Sequence, residues 1–139
     1  MKQKLPFYLI LSVLLIAGFS TNVKGQLLME ENFAYPVGDL LTAHGWAAHS
    51  GSGTNAITTT AASISYANYQ SSGIGEEITM VTSGEDVNKQ FTAQTSGAVY
   101  ASCLVNITSA SATGDYFFHL GAATMGTYFK ARLFVKKDA

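Results

Sequence analysis

Apolar and polar residues alternate most regularly between Val99 and Val135, where three runs are separated by two short Gly-bearing linkers. In the first run Val99, Ala101, Cys103, Val105 and Ile107 share one parity, and Tyr100, Ser102, Leu104 and Asn106 share the other. The second run is Asp115-Tyr-Phe-Phe-His-Leu-Gly121. In the third, Phe129, Ala131, Leu133 and Val135 alternate with Tyr128, Lys130, Arg132, Phe134 and Lys136. A period of two places each set on one face of a pleated strand, and β-branched and aromatic residues suit that surface. The linkers, Ser109 to Gly114 and Ala122 to Gly126, are short enough to join antiparallel neighbours. The pattern therefore predicts a three-strand meander with one dry face, on which Cys103 would act as a small hydrophobe.

Shorter apolar segments precede it. Leu27 to Phe33, Ala56 to Thr60, Ser63 to Tyr66, Glu77 to Thr82 and Val87 to Thr92 read as strands. They are broken by the turn signals around Pro36 and Gly38, the loop from Ala47 to Asn55, the Tyr69 to Gly75 loop, and Ser83 to Asp86. One short turn of helix fits Leu40 to Trp46. No stretch carries a 3.6-residue apolar stripe, so the chain is all-β. Short strands spaced near ten residues apart point to an antiparallel two-sheet sandwich of jelly-roll type. A sheet with one buried face needs a covering layer. The chain stops at Ala139 just past a strand, so the sandwich is expected to be incomplete at the C-terminus.

The first 25 residues follow a different pattern. Lys2 and Lys4 precede an apolar run from Leu5 to Phe19, and Val23-Lys24-Gly25 presents a cleavage site before Gln26. That is a secretory signal peptide, the alternative being an uncleaved anchor; the run falls short of the roughly 20 residues of a membrane span. A lipid anchor would need Cys where Gln26 stands. Removing 25 of 139 residues leaves 114, and with Lys2, Lys4 and Lys24 gone, five basic residues face nine acidic ones, a net charge of −4. The expected product is secreted or held at the cell surface, with no membrane insertion after cleavage and no electrostatic reason to bind nucleic acid. Cys103 is the sole cysteine, which rules out an intrachain disulfide.

No catalytic set emerges. His44 and His49 do not share a strand or helix face and His119 is distant in sequence, unlike the close ligand pairs of zinc sites. Glu30-Glu31 and Glu76-Glu77 are adjacent and cannot flank one glycosidic bond as a catalytic pair. Glu85-Asp86 beside Gly84 reads as a polar turn or, with turn carbonyls adding oxygens, as a calcium site. The Gly51-Ser52-Gly53 loop lacks the Lys-Ser/Thr of a phosphate cradle, and no Gly-x-Ser-x-Gly elbow occurs. Asn106-Ile107-Thr108 matches the glycosylation acceptor pattern, a coincidence on a strand. The aromatic residues Trp46, Tyr66, Tyr69 and Tyr100 are either ordinary core and cap residues or a platform on which sugar rings stack.

Glu31-x-Phe33-x-Tyr35-Pro36-x-Gly38-x-Leu40, followed by Gly45-Trp46 and the Gly-Ser-Gly loop, resembles the opening of concanavalin A-like (laminin-G-like) jelly-roll modules. Gly84-Glu-Asp-Val-Asn88 and Gly114-Asp-Tyr-Phe117 fit the same likeness. It spans most of Gln26 to Ala139 and implies two stacked sheets, of which this chain would hold the N-terminal part. Such modules occur in large secreted or surface bacterial proteins, and none of their catalytic motifs carries over. The resulting expectation is a secreted non-catalytic binding or adhesion module recognising polysaccharide or surface glycan. The alternative is an ancillary N-terminal domain of a secreted hydrolase whose active site lies beyond Ala139.

Overall fold

The computed structural model describes residues 25–138; the signal-peptide expectation lies outside these residues but for Gly25. The regular elements are a 3-10 turn (Leu41–His44) and six strands: β1 (Ala47–Ser50), β2 (Thr59–Thr60), β3 (Glu77–Ile78), β4 (Asp86–Asn88), β5 (Asp115–Gly121) and β6 (Phe129–Val135). They form three separate antiparallel pairs, β1 with β4, β2 with β3, and β5 with β6. The all-β character is clear, and no α-helix occurs among the described residues.

The first folding unit is built around Leu41 and Ile57, the buried apolar residues of the described chain. Leu40 bridges Thr58, and the backbone alternates Gly38 N–H to Thr59 O, Thr59 N–H to Asp39 O, and Leu41 N–H to Ile57 O. Thr59 is buried as well, its hydroxyl donating to the Pro36 carbonyl at 2.7 Å, so burial leaves no unmet hydroxyl. The predicted helical turn is present and leaves through Gly45 in the left-handed region (φ +81°). Beyond it the chain enters β1, in a stretch whose composition reads as loop. Ala47 and Ala48 pair with Asn88 and Val87, and pairing, not intrinsic preference, makes the strand.

The β1–β4 ribbon closes through Gly51 (φ +57°), where a Cβ would overlap the Gly84 carbonyl oxygen. Thr54 N–H returns to Gly51 O, and Glu85 N–H to Thr54 O, locking the turn.

Of the predicted meander, the second and third runs form the β5–β6 hairpin. The first does not form a strand: Val99 to Ile107 pairs with no strand, Cys103 is exposed, and Val99, Val105 and Ile107 are exposed too. Alternation suits a residue to a pleat but supplies no backbone partner, and an unpaired strand has no ladder to hold it. Leu27 to Phe33 and Ser63 to Tyr66 likewise remain irregular. The expected dry face is also altered within the hairpin. Tyr116 opposes Phe134, Phe118 opposes Leu133 and Leu120 opposes Lys130, so one bulge falls on β5 and a second on β6. Ala131, inside the second, has φ +46°. Parity breaks there: Phe129 and Arg132, both half-buried, come to one side, while Leu133 is exposed.

Candidate functional site

Of the four aromatic residues weighed as a sugar platform, Tyr66 and Tyr69 sit on one turn, and Tyr66 alone of the four lines a groove. Tyr69 Oη and Ser102 Oγ lie 3.1 Å apart and tie the Tyr66–Tyr69 turn to the segment that carries Tyr100. That turn is held locally by Tyr66 N–H donating to Ser72 Oγ and by Tyr69 N–H donating to Tyr66 O. Beside it runs an open groove of about 420 Å³ lined by Ser63, Ser65, Tyr66, Glu77, Leu104 and Asn106, among others. Tyr66 and Tyr100 are 69% and 92% exposed, so neither ring is a core residue. Glu77 is set at the groove by β3; its Oε1 accepts the Thr60 hydroxyl at 3.3 Å. The groove thus combines an aromatic face, two hydroxyls, a carboxylate and an amide.

Trp46 is elsewhere. Its ring stacks on Phe33 at 5.9 Å and its Nε1–H donates to Glu31 Oε2 at 3.3 Å. The same oxygen accepts from Lys89 Nζ (2.6 Å) and Tyr35 Oη (2.7 Å), while Oε1 accepts the Phe33 backbone N–H. Phe33 is held at φ +52° by these contacts. Burial works to raise the Glu31 pKa, but hydrogen bonds from Lys89, Tyr35 and the Phe33 N–H prevail and hold it below the ordinary carboxylate value. The bond to Glu31 pushes Lys89 up against the opposing effect of burial. Burial first, then the bond to Glu31, raises Tyr35. Tyr35 also lies flat on His44 at 3.9 Å, and His44 Nε2 reaches Asp39 Oδ2 at 2.9 Å. Every partner here is satisfied within the chain, so this cluster is a clamp that fastens Glu31–Tyr35 onto the first folding unit. Trp46 belongs to that clamp, and no ring contact among the described residues joins it to Tyr66, Tyr69 or Tyr100.

Glu85 and Asp86, expected side by side at a calcium ion, diverge. Glu85, 8% exposed, turns back to accept the Gly53 N–H at 2.9 Å, leaving Oε1 without a hydrogen-bond partner among the described residues. Asp86 points to the hairpin and accepts the Tyr116 hydroxyl at 3.0 Å. Glu85 ends the turn and Asp86 opens β4, so their side chains go to different partners and the pair is not brought to one site. Among the described residues no three His, Cys, Asp or Glu side chains gather as metal ligands.

A further cluster, which the sequence pattern did not single out, forms where the β1–β4 ribbon meets the hairpin. The His49 ring lies edge-on to His119 at 6.2 Å, with His49 Nδ1 fixed by the Asn88 amide at 3.1 Å. His119 packs on Phe129 (4.4 Å) and Tyr116 (5.6 Å), and Arg132 covers both those rings. Burial, then the charges of Arg132 and His49, lowers the His119 pKa. Burial and the bond to Asp86 raise that of Tyr116. Only the bulges place residues 116, 119, 129 and 132 on one face, and alternation along the sequence gives no sign of them.

No family model, curated protein or solved structure matches the chain.

Proposed function

We propose that this chain is a secreted, non-catalytic binding module that recognises polysaccharide through the Tyr66 groove, on a two-sheet antiparallel sandwich of the concanavalin A-like jelly-roll type. The observation that carries the reading is the make-up of the groove: an exposed Tyr66 ring beside the Glu77 carboxylate, the Asn106 amide and the Ser63 and Ser65 hydroxyls. A pyranose ring has an apolar C–H face and a polar hydroxyl edge. An exposed aromatic face takes the first, and a carboxylate and an amide take adjacent hydroxyls of the second. The open, shallow form suits a chain passing through better than a small molecule enclosed on all sides. Export supports the reading from the sequence side, since the leader-like pattern before Gln26 would deliver the module to where surface glycans are met.

The experiment is retention of the full chain on immobilised neutral and acidic polysaccharides, compared with Tyr66→Ala. Losing a stacked ring removes about 1.5 kcal/mol of contact, which is about tenfold in affinity. Because Tyr66 is exposed, the variant should melt with the parent. Failure to be retained on every polysaccharide, or retention of Tyr66→Ala equal to the parent, overturns the proposal.

A further inference from the structure

We propose that Arg132 receives an oxyanion, the carboxylate or sulfate group of an acidic polysaccharide; this rests on the polysaccharide reading above and adds a second point of attachment to it. The argument begins with backbone. Alternation along β6 would send Arg132 outward with Tyr128, Lys130, Phe134 and Lys136. The bulge between Leu133 and Lys130 instead brings it onto the side of Phe129 as well as Phe134, through a left-handed Ala131. Bulges of this kind re-aim a side chain, and a non-glycine residue stays at positive φ only where its surroundings hold it.

The guanidinium carbon then lies 3.8 Å from the centre of the Phe129 ring, 4.6 Å from Tyr116 and 5.7 Å from Phe134. Rings against its flat faces leave hydrogen bonding to its edge. No acceptor among the described residues meets that edge: the Arg132 side chain makes no ion pair or hydrogen bond with them, and its Nε is shielded with no partner. The nearby carboxylates are engaged elsewhere, Asp86 with the Tyr116 hydroxyl and Asp115 with the Tyr116 N–H. A planar fork of donors in a ring-lined setting matches the two oxygens of a carboxylate or sulfate, a match a lysine does not offer. His119, packed on Phe129 and Tyr116 in the same cluster, adds an imidazole near the fork.

Arg132 is the only arginine in the chain, so its Nε–H gives a single unambiguous NMR signal. The full chain is titrated with an oligogalacturonate, a sulfated galactan oligomer and a neutral galactan oligomer. The expected result is a saturable downfield shift with at least one acidic oligomer and none with the neutral one. Which acidic oligomer acts assigns the group as carboxylate or sulfate. Arg132→Lys, which keeps the charge and loses the fork, should weaken binding of that oligomer at least tenfold and leave retention on neutral polysaccharide unchanged. An Arg132 signal unmoved by both acidic oligomers, or moved equally by the neutral one, overturns the proposal without requiring any variant to fold. If the signal stays still while neutral polysaccharide is retained, only the Arg132 site fails. If it saturates while Tyr66→Ala is retained as well as the parent, the site stands and the groove reading fails.

Discussion

Glu31→Gln tests the clamp beneath the first folding unit. The carboxylate is nearly buried, its side chain 10% exposed, and it accepts four donors: Lys89, Tyr35, Trp46 and the Phe33 N–H. Glutamine keeps the shape but has one acceptor oxygen. If that oxygen faces Lys89 and Tyr35, its amide nitrogen meets the Phe33 N–H donor to donor. Hydrogen bonds to a charged group are worth about 1.5–3 kcal/mol each, and removing one side of a buried pair costs about 3–5 kcal/mol. Lys89 retains some solvent, its side chain being 27% exposed, which lowers the expected loss to about 3 kcal/mol. At roughly 2 cal/mol/K of unfolding entropy per residue, that is a fall in Tm of about 10–15 °C. Glu31 titrates below its ordinary 4.5, so its contribution is complete above that value and lost as pH falls through its own lower one. Lys89 titrates above 10.5, so its share is complete below that value and lost as pH rises through the higher one. Urea unfolding at neutral pH and again below pH 4 provides the assay: the deficit of Glu31→Gln should shrink in acid. Adding Lys89→Met should recover about 1 kcal/mol, since an unpaired ammonium no longer remains. A Glu31→Gln chain within about 0.5 kcal/mol of the parent, with the same acid limb, would refute the clamp.

Two backbone predictions follow from the turns. Gly51→Ala puts a Cβ into the Gly84 carbonyl at a positive φ, and should lower stability by about 2 kcal/mol or more in urea unfolding. Ala131→Gly should do the reverse: relief of the left-handed strain, about 1–2 kcal/mol, exceeds the extra chain entropy of glycine, about 0.5–1 kcal/mol. A Tm increase of a few degrees is the expected readout, and a decrease would mean that Ala131 is not strained.

The hairpin was readable because both of its strands and their short linker sit together in sequence. Asp115 to Gly121 matches the second predicted run, and Phe129 to Val135 most of the third. Its facing was not readable, since two bulges each cost one residue of register and carry no residue signature here, Ala131 being an ordinary strand residue. Val99 to Ile107 shows the converse, a clean alternation without a partner. Tyr66, Tyr69 and Tyr100 read equally as core residues or as a platform from the sequence, and only the fold shows that Tyr66 and Tyr100 are exposed while Tyr69 is half-buried. The role of Trp46 was set by Glu31 and Lys89, which stand 58 residues apart. Only the fold could show that the Glu31 carboxylate and a distant lysine meet beside that indole, or that Glu85 and Asp86 part company.

The bulged hairpin also bears on how molecules of this chain meet one another. In a two-stranded sheet each strand has one edge that its partner leaves open, and a flat, aromatic-rich edge is a template for adding further strands. Here the two register breaks distort the ribbon, and Lys130 and Lys136 stand in or just beyond β6 as gatekeeping charges. The segment with the highest density of rings in the chain is thereby made a poor seed for cross-β growth. The irregularity that aims Arg132 also guards against fibril formation.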